Sequence, residues 1–231
     1  MTSEFVHLHN HSDYSLLDGA QTVQTLVNTI GDLGMDSVAL TEHGNMFSVI
    51  PYYKSAKKAG VNPIIGCETY VAMGSRFDKK PRSDGGWGNN HLVLLAQNYL
   101  GYQNLMKLVT YGYLDGFYYR PRIDIDLLRE HSDGLICLSG CLKGEITEKM
   151  LKDDWAGAKD AALRFAEIFD DRFYLEVQNH GIDQEQVNIE KTKKLAKELD
   201  LPLVATNDAH YAKHDHWEAH DIHICLGTGK E

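Results

Sequence analysis

The sequence predicts an α/β fold in which seven strands alternate with helices and close into a TIM-like (β/α)7 barrel. Apolar runs with the character of strands alternate with stretches of helical periodicity along the chain. Histidines and carboxylates recur where these runs end, and the working groups of βα barrels lie at such ends. A length of 231 residues, 43% of them hydrophobic, suits one barrel of this kind. We therefore expect residues 1–231 to form a single domain.

The elements of the first half of the chain are marked by periodicity and by glycines at helix ends. Gly34 and Gly60 stand where the first two helical patterns stop, which is the usual place of a helix-terminating glycine. In chain order, the predicted elements are strand Phe5–His9, helix Thr22–Leu33, strand Ser37–Leu40, helix Ser48–Ala59, strand Pro63–Val71 and strand Leu92–Gln97.

The second half repeats the same alternation. Its predicted elements are helix Leu100–Tyr113, strand Gly134–Leu138, helix Trp155–Phe169, strand Arg172–Gln178, helix Gln184–Leu199 and strand Pro202–Thr206. Alternating βα units imply a parallel sheet, and closure into a barrel suits seven of them. An open doubly wound sheet would gather its site at one switch point, whereas candidate ligands here follow several strands. The barrel is therefore the expected architecture.

Composition excludes several classes of protein. No stretch approaches the roughly 18 apolar residues of a membrane span, and the N-terminus has no basic region leading into an apolar segment. The four cysteines contain no C-x-x-C pair, which favours a reducing compartment over a disulfide framework. We expect a cytoplasmic protein with no membrane partner.

The charge of the chain bears on its ligands. A formal net charge of -10 argues against broad binding of a nucleic-acid backbone by the bare chain, and it is compatible with carboxylates that hold metal ions. The basic cluster of Arg76, Lys79, Lys80 and Arg82 could contact nucleic acid, but we expect it to be solvated.

The densest group of candidate ligands follows the first predicted strand. Residues two apart share one face of a strand, so His9 and His11 can bind one metal ion from a single strand end. The pairing of histidine with an acid returns downstream, at Glu42-His43 and at Asp208-Ala209-His210. Glu68 lies in a further strand. These repeats predict a metal centre.

Several motifs resemble the polymerase and histidinol phosphatase (PHP) family. They are His9-Asn10-His11-Ser12, Ser15 to Gly19, Thr41-Glu42-His43-Gly44-Asn45 and Ala205 to His210. Further motifs are similar to the branch of the family found at the N-terminus of bacterial DNA polymerase III alpha subunits. These are Gly66 to Val71, Gly101 to Leu105, Leu138 to Leu142 and Val177 to Gly181. The resemblance covers essentially the whole chain and implies the PHP fold, a distorted seven-stranded barrel.

Carried over position by position, the resemblance implies nine metal ligands: His9, His11, Asp18, His43, Glu68, His91, Cys141, Asp208 and His210. Six of them are the candidate catalytic residues: His9, His11, Asp18, His43, Asp208 and His210. Such a donor set suits two or three divalent ions, with zinc, manganese or iron as the candidates. His91 stands at the start of its predicted strand and not at its end, and Cys141 can alternatively be a small buried hydrophobic residue.

The same resemblance implies a function. The chain would be the PHP domain of a replicative DNA-directed DNA polymerase, with metal-dependent 3′–5′ exonuclease or phosphoesterase chemistry and a single-stranded DNA 3′ end as substrate. Its partners would be the rest of the polymerase subunit and a proofreading exonuclease subunit. Two alternatives stay open: a non-catalytic module that stabilises the polymerase and docks partners, and a free-standing phosphatase of the histidinol-phosphate type.

Two further stretches carry expectations. The aromatic segment from Phe117 to Arg122 can stack on single-stranded bases, but tyrosine and phenylalanine at this density more often pack a long loop onto a barrel, so we expect packing. His180 is expected to be a structural or rim residue. The histidines beyond His210 are expected to be surface or packing residues: His214, His216, His220 and His223.

Overall fold

The computed structural model describes residues 5–16, 18–80 and 88–229. Its helices are α1 Val23–Asp32, α2 Val49–Ala59, α3 Tyr99–Leu114, α4 Ile125–Glu130, α5 Glu145–Leu151, α6 Trp155–Phe169, α7 Asp183–Leu199 and α8 Trp217–Thr228. Its strands are β1 Ser37–Leu40, β2 Asn62–Ala72, β3 Asn89–Ala96, β4 Arg122–Ile123, β5 Leu135–Leu138, β6 Phe173–Val177 and β7 Leu203–Ala205.

Helix boundaries follow local chemistry. Thr22 caps α1, because its hydroxyl accepts a hydrogen bond from the Thr25 N–H at 3.1 Å. Gly60 ends α2 with φ of 75°, a left-handed conformation that glycine adopts without a steric penalty. The five predicted helices are therefore confirmed. The short helices α4 and α5 were not predicted, because six or seven residues give too few turns for a periodic signal.

The strands form one curled seven-stranded sheet in the order β1-β2-β3-β5-β6-β7, with β4 paired to β2. Strands β1 and β2 are parallel, as are β5, β6 and β7. Strand β3 is antiparallel to both of its neighbours, so the prediction of a wholly parallel sheet is wrong at this strand. The described residues between β2 and β3 contain no helix, and antiparallel neighbours need no helical crossover.

The predicted strand Phe5–His9 is not a regular strand. Residues 7 and 10 form isolated parallel bridges, His7 with Val38 and Asn10 with Ala209. The Ala39 N–H donates to the His7 carbonyl at 2.8 Å, and the His11 N–H donates to the Ala209 carbonyl at 2.9 Å. This segment therefore joins β1 to the chain that follows β7, which brings the two ends of the sheet together into the TIM-like barrel.

Opposite faces of the sheet pack into different clusters, as strand alternation requires. On β3, Leu94 belongs to the large outer core with α3, α6 and α7, whereas Val93 and Leu95 belong to a small inner cluster with Ala39 and Leu138. Glu68 is the cross-strand partner of Val93 and so faces the interior of the barrel. The inner face of the barrel therefore carries polar side chains at its rim and apolar side chains further from the rim.

Two expectations about the surface can be compared with the structure. Arg76 pairs with Asp124 at 3.0 Å, so it is a structural residue and the prediction of a solvated cluster is wrong for it. Lys79 and Lys80 are exposed as expected, and Arg82 lies outside the described residues. No helix in the described part of the chain is long and apolar enough to cross a membrane.

Candidate metal centre

Five parts of the chain deliver polar side chains to one mouth of the barrel. His43 follows β1 and forms a parallel bridge with Glu68 of β2. His91, at the start of β3, is the cross-strand partner of Tyr70. Because β3 runs in the opposite direction, its first residues lie beside the last residues of β2, which places His91 at the same rim as the other candidates.

Glu68 lies at the centre of the group. Its Oε2 is 2.6 Å from His43 Nδ1, 3.4 Å from His11 Nε2 and 3.6 Å from His9 Nε2. Its Oε1 is 2.5 Å from His91 Nδ1. One carboxylate that reaches four imidazoles would serve as a ligand together with any of them.

Two aspartates flank this centre. Asp208 Oδ1 lies 3.2 Å from His9 Nε2 and 3.1 Å from His11 Nε2. Asp18 Oδ2 lies 3.0 Å from His43 Nε2 and 4.0 Å from His210 Nε2. Eight of the nine expected ligands thus form one connected network, in which each lies within 4.0 Å of at least one other: His9, His11, Asp18, His43, Glu68, His91, Asp208 and His210.

The buried polar atoms of the group are not satisfied by hydrogen bonds. Within the described part of the chain, the following buried atoms have no hydrogen-bond partner: His9 Nε2, His11 Nε2, Asp18 Oδ1, His43 Nδ1, Glu68 Oε2 and Asp208 Oδ1. Buried polar groups in proteins are nearly always hydrogen-bonded, so a convergent set of unpaired donors and acceptors indicates a missing ligand. Imidazole nitrogens together with carboxylate oxygens are ligands for transition-metal ions.

Three overlapping sets of these residues have ligand atoms close enough to hold an ion. The sets are His9, His11, Glu68 and Asp208; His43, Glu68 and His91; and His11, His43 and His210, with all ligand atoms of a set within 4.8 Å. They share Glu68, His11 and His43. The residues therefore fit a centre of more than one ion.

A match to a family model accounts for this arrangement. Residues 7–180 match the PHP domain. The chain belongs to the PHP family. Among curated relatives, it is 49% identical to the DNA polymerase III subunit alpha of Borreliella burgdorferi and 46% identical to that of Treponema pallidum. Each match covers 98% of this chain but only 20% and 19% of the relative, so the chain spans about a fifth of the length of these proteins.

Solved structures share the fold of this PHP chain. An amidohydrolase from Chromobacterium violaceum superposes with a TM-score of 0.52 over 94% of this chain and 96% of the other, at 13% identity. A two-domain protein from Bacteroides vulgatus that contains a predicted PHP-like metal-dependent phosphoesterase superposes with a TM-score of 0.51. That match covers 93% of this chain and 55% of the other, at 15% identity.

Outer contacts fix the orientation of His9 in the PHP site. Its Nδ1 lies 2.8 Å from Glu176 Oε1, and Gln178 and Thr206 donate to the same oxygen. A carboxylate that accepts the Nδ1 proton leaves the Nε2 lone pair directed at the centre, as in many metal-bound histidines.

Ser15 fixes the tautomer of His11 in a similar way. The Ser15 hydroxyl donates its single proton to Glu42 Oε2 at 2.5 Å, so its oxygen must accept from His11 Nδ1 at 3.0 Å. The Glu42 carboxylate also accepts from the backbone N–H and the hydroxyl of Ser12. His11 is therefore the Nδ1–H tautomer, and its Nε2 lone pair faces Glu68 and Asp208.

The carboxylates and histidines shift one another's ionisation. Burial alone would lower the pKa of His43, but Glu68 and Asp18 outweigh it and raise that pKa to about 10. Burial, with repulsion from His43, lowers the pKa of His11 to about 3. Burial would raise the pKa of Glu68, yet His91, His43 and His9 hold it well below its usual value. The site is thus built to keep its carboxylates ionised and to attract positive charge.

Cys141 lies close to the centre but outside the three ligand sets. It lines a cavity of about 240 Å³ together with Glu68, His91 and Asp208. Burial raises the pKa of its thiol, and Glu68 and Asp208 raise it further. Its assignment as a ligand stays a prediction.

Sequence reasoning did not identify several residues that support the site. Glu176, Ser15 and Gln178 were given no role, although Glu176 stands on the inner face of an otherwise apolar strand. Glu42 was noted only as the acid beside His43, and its role of holding Ser12 and Ser15 was not predicted. An acidic residue at an inward position of a barrel strand is the sequence signal that could have identified Glu176. His220 was assigned to the surface or to packing, but its Nε2 contacts the Asp18 carbonyl at 2.8 Å.

His180 connects two parts of the chain beside the site. Its Nδ1 lies 2.6 Å from Glu185 Oε1, and its Nε2 lies 2.6 Å from the Asn207 carbonyl. These two contacts tie the start of α7 to the turn that carries Asp208. The residue has the structural role expected of it.

Proposed function

We propose that this chain is the N-terminal PHP domain of a bacterial DNA polymerase III alpha subunit, and that it binds two or three divalent ions and hydrolyses phosphoesters. The preferred substrate in this proposal is the 3′ end of single-stranded DNA. The observation that carries it is the convergence of unpaired, buried imidazole and carboxylate atoms on Glu68. The 49% identity to a polymerase alpha subunit supports the placement of the domain in a longer protein.

The donor set supports zinc, manganese or iron as the bound ions. All nine residues would serve as ligands: His9, His11, Asp18, His43, Glu68, His91, Cys141, Asp208 and His210. Clustered ions of this kind supply a nucleophilic water near neutral pH and stabilise the charge of a phosphoryl group in the transition state.

The protein residues supply position and shape. His9 and His11 are fully buried and fixed by Glu176 and Ser15, so they hold their orientation before a ligand arrives. Asp18 is the more exposed carboxylate, at the mouth of the barrel. A recessed centre that is reached through one mouth suits a free strand end better than the interior of a duplex, which supports exonuclease rather than endonuclease action.

The test compares metal content and hydrolysis in matched variants. Asp208→Asn removes the charge of one ligand and keeps its shape, and Asp126→Asn makes the same change on an exposed aspartate of α4. We expect the wild type to contain at least two ions per chain by elemental analysis. We expect it to degrade single-stranded DNA in preference to histidinol phosphate.

Asp208→Asn should lower the rate of DNA hydrolysis by orders of magnitude, each factor of ten being about 1.4 kcal/mol of transition-state stabilisation, and Asp126→Asn should not. Equal rates for wild type and Asp208→Asn would assign the activity to a contaminating nuclease. Bound metal without turnover would favour a structural module that docks the remainder of the polymerase or a proofreading exonuclease subunit. A preference for histidinol phosphate would favour a free-standing phosphatase.

A further inference from the structure

A second cavity opens beside the metal centre and shares two residues with it. It has a volume of about 350 Å³, and Asp18 and His43 form the end nearest the centre. The remaining wall is largely aromatic and includes Phe47, Tyr113 and Phe117. A volume of this size lies within the range of small-molecule sites in proteins.

Several aromatic side chains of this cavity are solvent-exposed, although Tyr70 in its wall is buried. The exposed fractions are 60% for Phe47, 47% for Phe117 and 59% for Tyr119. The ring centroids of Phe47 and Tyr113 are 6.1 Å apart, and those of Tyr113 and Phe117 are 6.2 Å apart. The prediction that this segment packs the loop onto the barrel is confirmed only in part. Phe117 contacts Tyr113 of α3, but about half of Phe117 is exposed and lines the cavity.

The loop that carries Phe117 and Tyr119 is anchored by the buried side chain of Arg122. The guanidinium of Arg122 is buried, and it donates to the carbonyls of Gly116, Arg76 and Asp78 at 3.0 to 3.1 Å. Tyr119 has φ of 57°, a strained conformation for a non-glycine residue that persists only when the surrounding structure enforces it. The aromatic surface is therefore positioned in advance and does not depend on ligand for its order.

Arg120 places a positive charge at the border of this cavity. It is exposed, and its guanidinium lies 5.8 Å from the centroid of the Tyr70 ring. Within the described residues it has no carboxylate at ion-pair distance, in contrast to Arg76. It also lines a neighbouring cavity of about 390 Å³ with His91 and Lys143. Two cations thus border a mouth whose floor is acidic.

We propose that the cavity formed by Phe47, Tyr113, Phe117 and Tyr119 is a subsite that stacks the bases of a single-stranded DNA end, while Arg120 contacts its phosphate backbone. The inference rests on the proposed function, because it places the strand whose phosphate reaches the metal centre. Every base has a π face, so aromatic stacking binds single strands with little sequence preference. An unpaired arginine beside the rings supplies the charge that a phosphodiester requires.

The combination of exposed aromatic rings with a nearby arginine favours nucleic acid over a peptide as the occupant of this cavity. A docked protein segment would need apolar side-chain pockets. This cavity instead places the exposed rings of Phe47 and Phe117 next to Arg120. Its other end is formed by the candidate ligands Asp18 and His43. The rest of a longer polymerase subunit is the competing occupant, and the experiment separates the two.

The experiment measures binding, so it does not depend on turnover. The dissociation constant of a short 5′-fluorescein oligothymidylate is measured by fluorescence anisotropy for the wild type, Phe117→Leu, Tyr119→Leu and Arg120→Gln. The matched control is Tyr99→Leu, which removes an exposed tyrosine of α3 that does not line the described cavities. An abasic strand of equal length carries the same phosphates without bases.

We expect Phe117→Leu and Tyr119→Leu each to weaken binding of oligothymidylate about tenfold and to leave binding of the abasic strand unchanged. Arg120→Gln should weaken both ligands and reduce the salt dependence, and Tyr99→Leu should change neither. Melting temperature and metal content show whether each variant is folded.

Unchanged affinity for oligothymidylate in both aromatic variants would overturn the subsite. The subsite would also be overturned if these variants lost the same affinity for the abasic strand as for oligothymidylate. If the aromatic variants bind DNA normally but weaken association with the rest of a polymerase alpha subunit, the cavity is a docking surface instead. The binding assay needs no hydrolysis. An inactive metal centre would therefore refute the proposed function, but the binding measurement would still test the subsite.

Discussion

Removal of the metal ions should destabilise the protein, and Glu68→Gln should abolish most of that response. Glu68 belongs to two of the three ligand sets, and its Oε2 lies within 3.6 Å of imidazole nitrogens from His9, His11 and His43. Glutamine keeps the size of the side chain and removes the charge that an ion needs. The variant therefore impairs two sites at once.

The magnitude follows from mass action. An ion at 100 times its dissociation constant stabilises the folded state by about 2.7 kcal/mol for each site. An unfolding entropy of about 2.1 cal/mol/K per residue gives roughly 0.5 kcal/mol/K for a chain of this length. Each saturated site should therefore raise the melting temperature by about 5 to 6 °C, and two sites by about 11 °C.

The assay is calorimetric or fluorimetric melting with excess metal and with chelator. The difference between the two conditions is the quantity to compare, because Glu68→Gln also removes buried ion pairs and lowers the melting temperature by itself. Glu190→Gln, an exposed acid of α7, is the matched control and should keep the full difference. If the wild type melts at the same temperature in both conditions, the inference of a metal centre is refuted.

Two further predictions concern ligand orientation and protons. Glu176→Gln should weaken metal binding about 10- to 100-fold in a competition titration with a fluorescent chelator, because His9 Nδ1 loses its carboxylate partner; an unchanged affinity would show that Glu176 does not orient the ligand. Metal binding should release protons, because His43, with a pKa of about 10 in the metal-free protein, is protonated at neutral pH and must lose that proton to ligate. Affinity should therefore rise with pH towards 10, and calorimetry in two buffers of different ionisation enthalpy should give different binding enthalpies; equal enthalpies would contradict the proton release.

The sequence predicted the fold class, and the residues that cluster at the barrel mouth, better than the path of the chain. Apolar runs reveal where strands lie, but the run from Leu92 to Gln97 carries no information about its direction. The described residues between β2 and β3 contain no helix, as an antiparallel neighbour allows. His91 seemed misplaced at the start of its strand only because a parallel neighbour was assumed.

Supporting residues were harder to predict because their role depends on contacts that are distant in sequence. Glu176 meets His9 across 167 positions, and no local pattern specifies that pairing. The aromatic loop was misjudged in part, for a different reason. Composition cannot tell a buried ring from an exposed one, and here the buried Arg122 anchors the loop while about half of Phe117 is exposed.

The buried acids of the site fall into two groups. Both oxygens of Glu42 accept hydrogen bonds from Ser12 and Ser15, so that carboxylate is complete without any ligand. Glu68 Oε2 and Asp208 Oδ1 have no well-formed hydrogen bond, and both lie against imidazole nitrogens. The acids with unpaired oxygens are the ones that face the imidazoles.

In the metal-free protein, protonated His9 and His43 balance these two acids. Burial would lower the pKa of His9, but Asp208, Glu176 and Glu68 raise it well above its usual value, and His43 behaves in the same way. His11 differs from both. Its Nδ1 proton is committed to Ser15, and burial beside His43 lowers its pKa to about 3, so its Nε2 carries no proton at neutral pH. That lone pair lies 3.1 Å from Asp208 Oδ1 and 3.4 Å from Glu68 Oε2. Three acceptors at such distances repel one another unless a cation lies among them. The His11 lone pair therefore faces two carboxylates whose balancing charge comes from protonated His9 and His43, and a bound cation would take over that role.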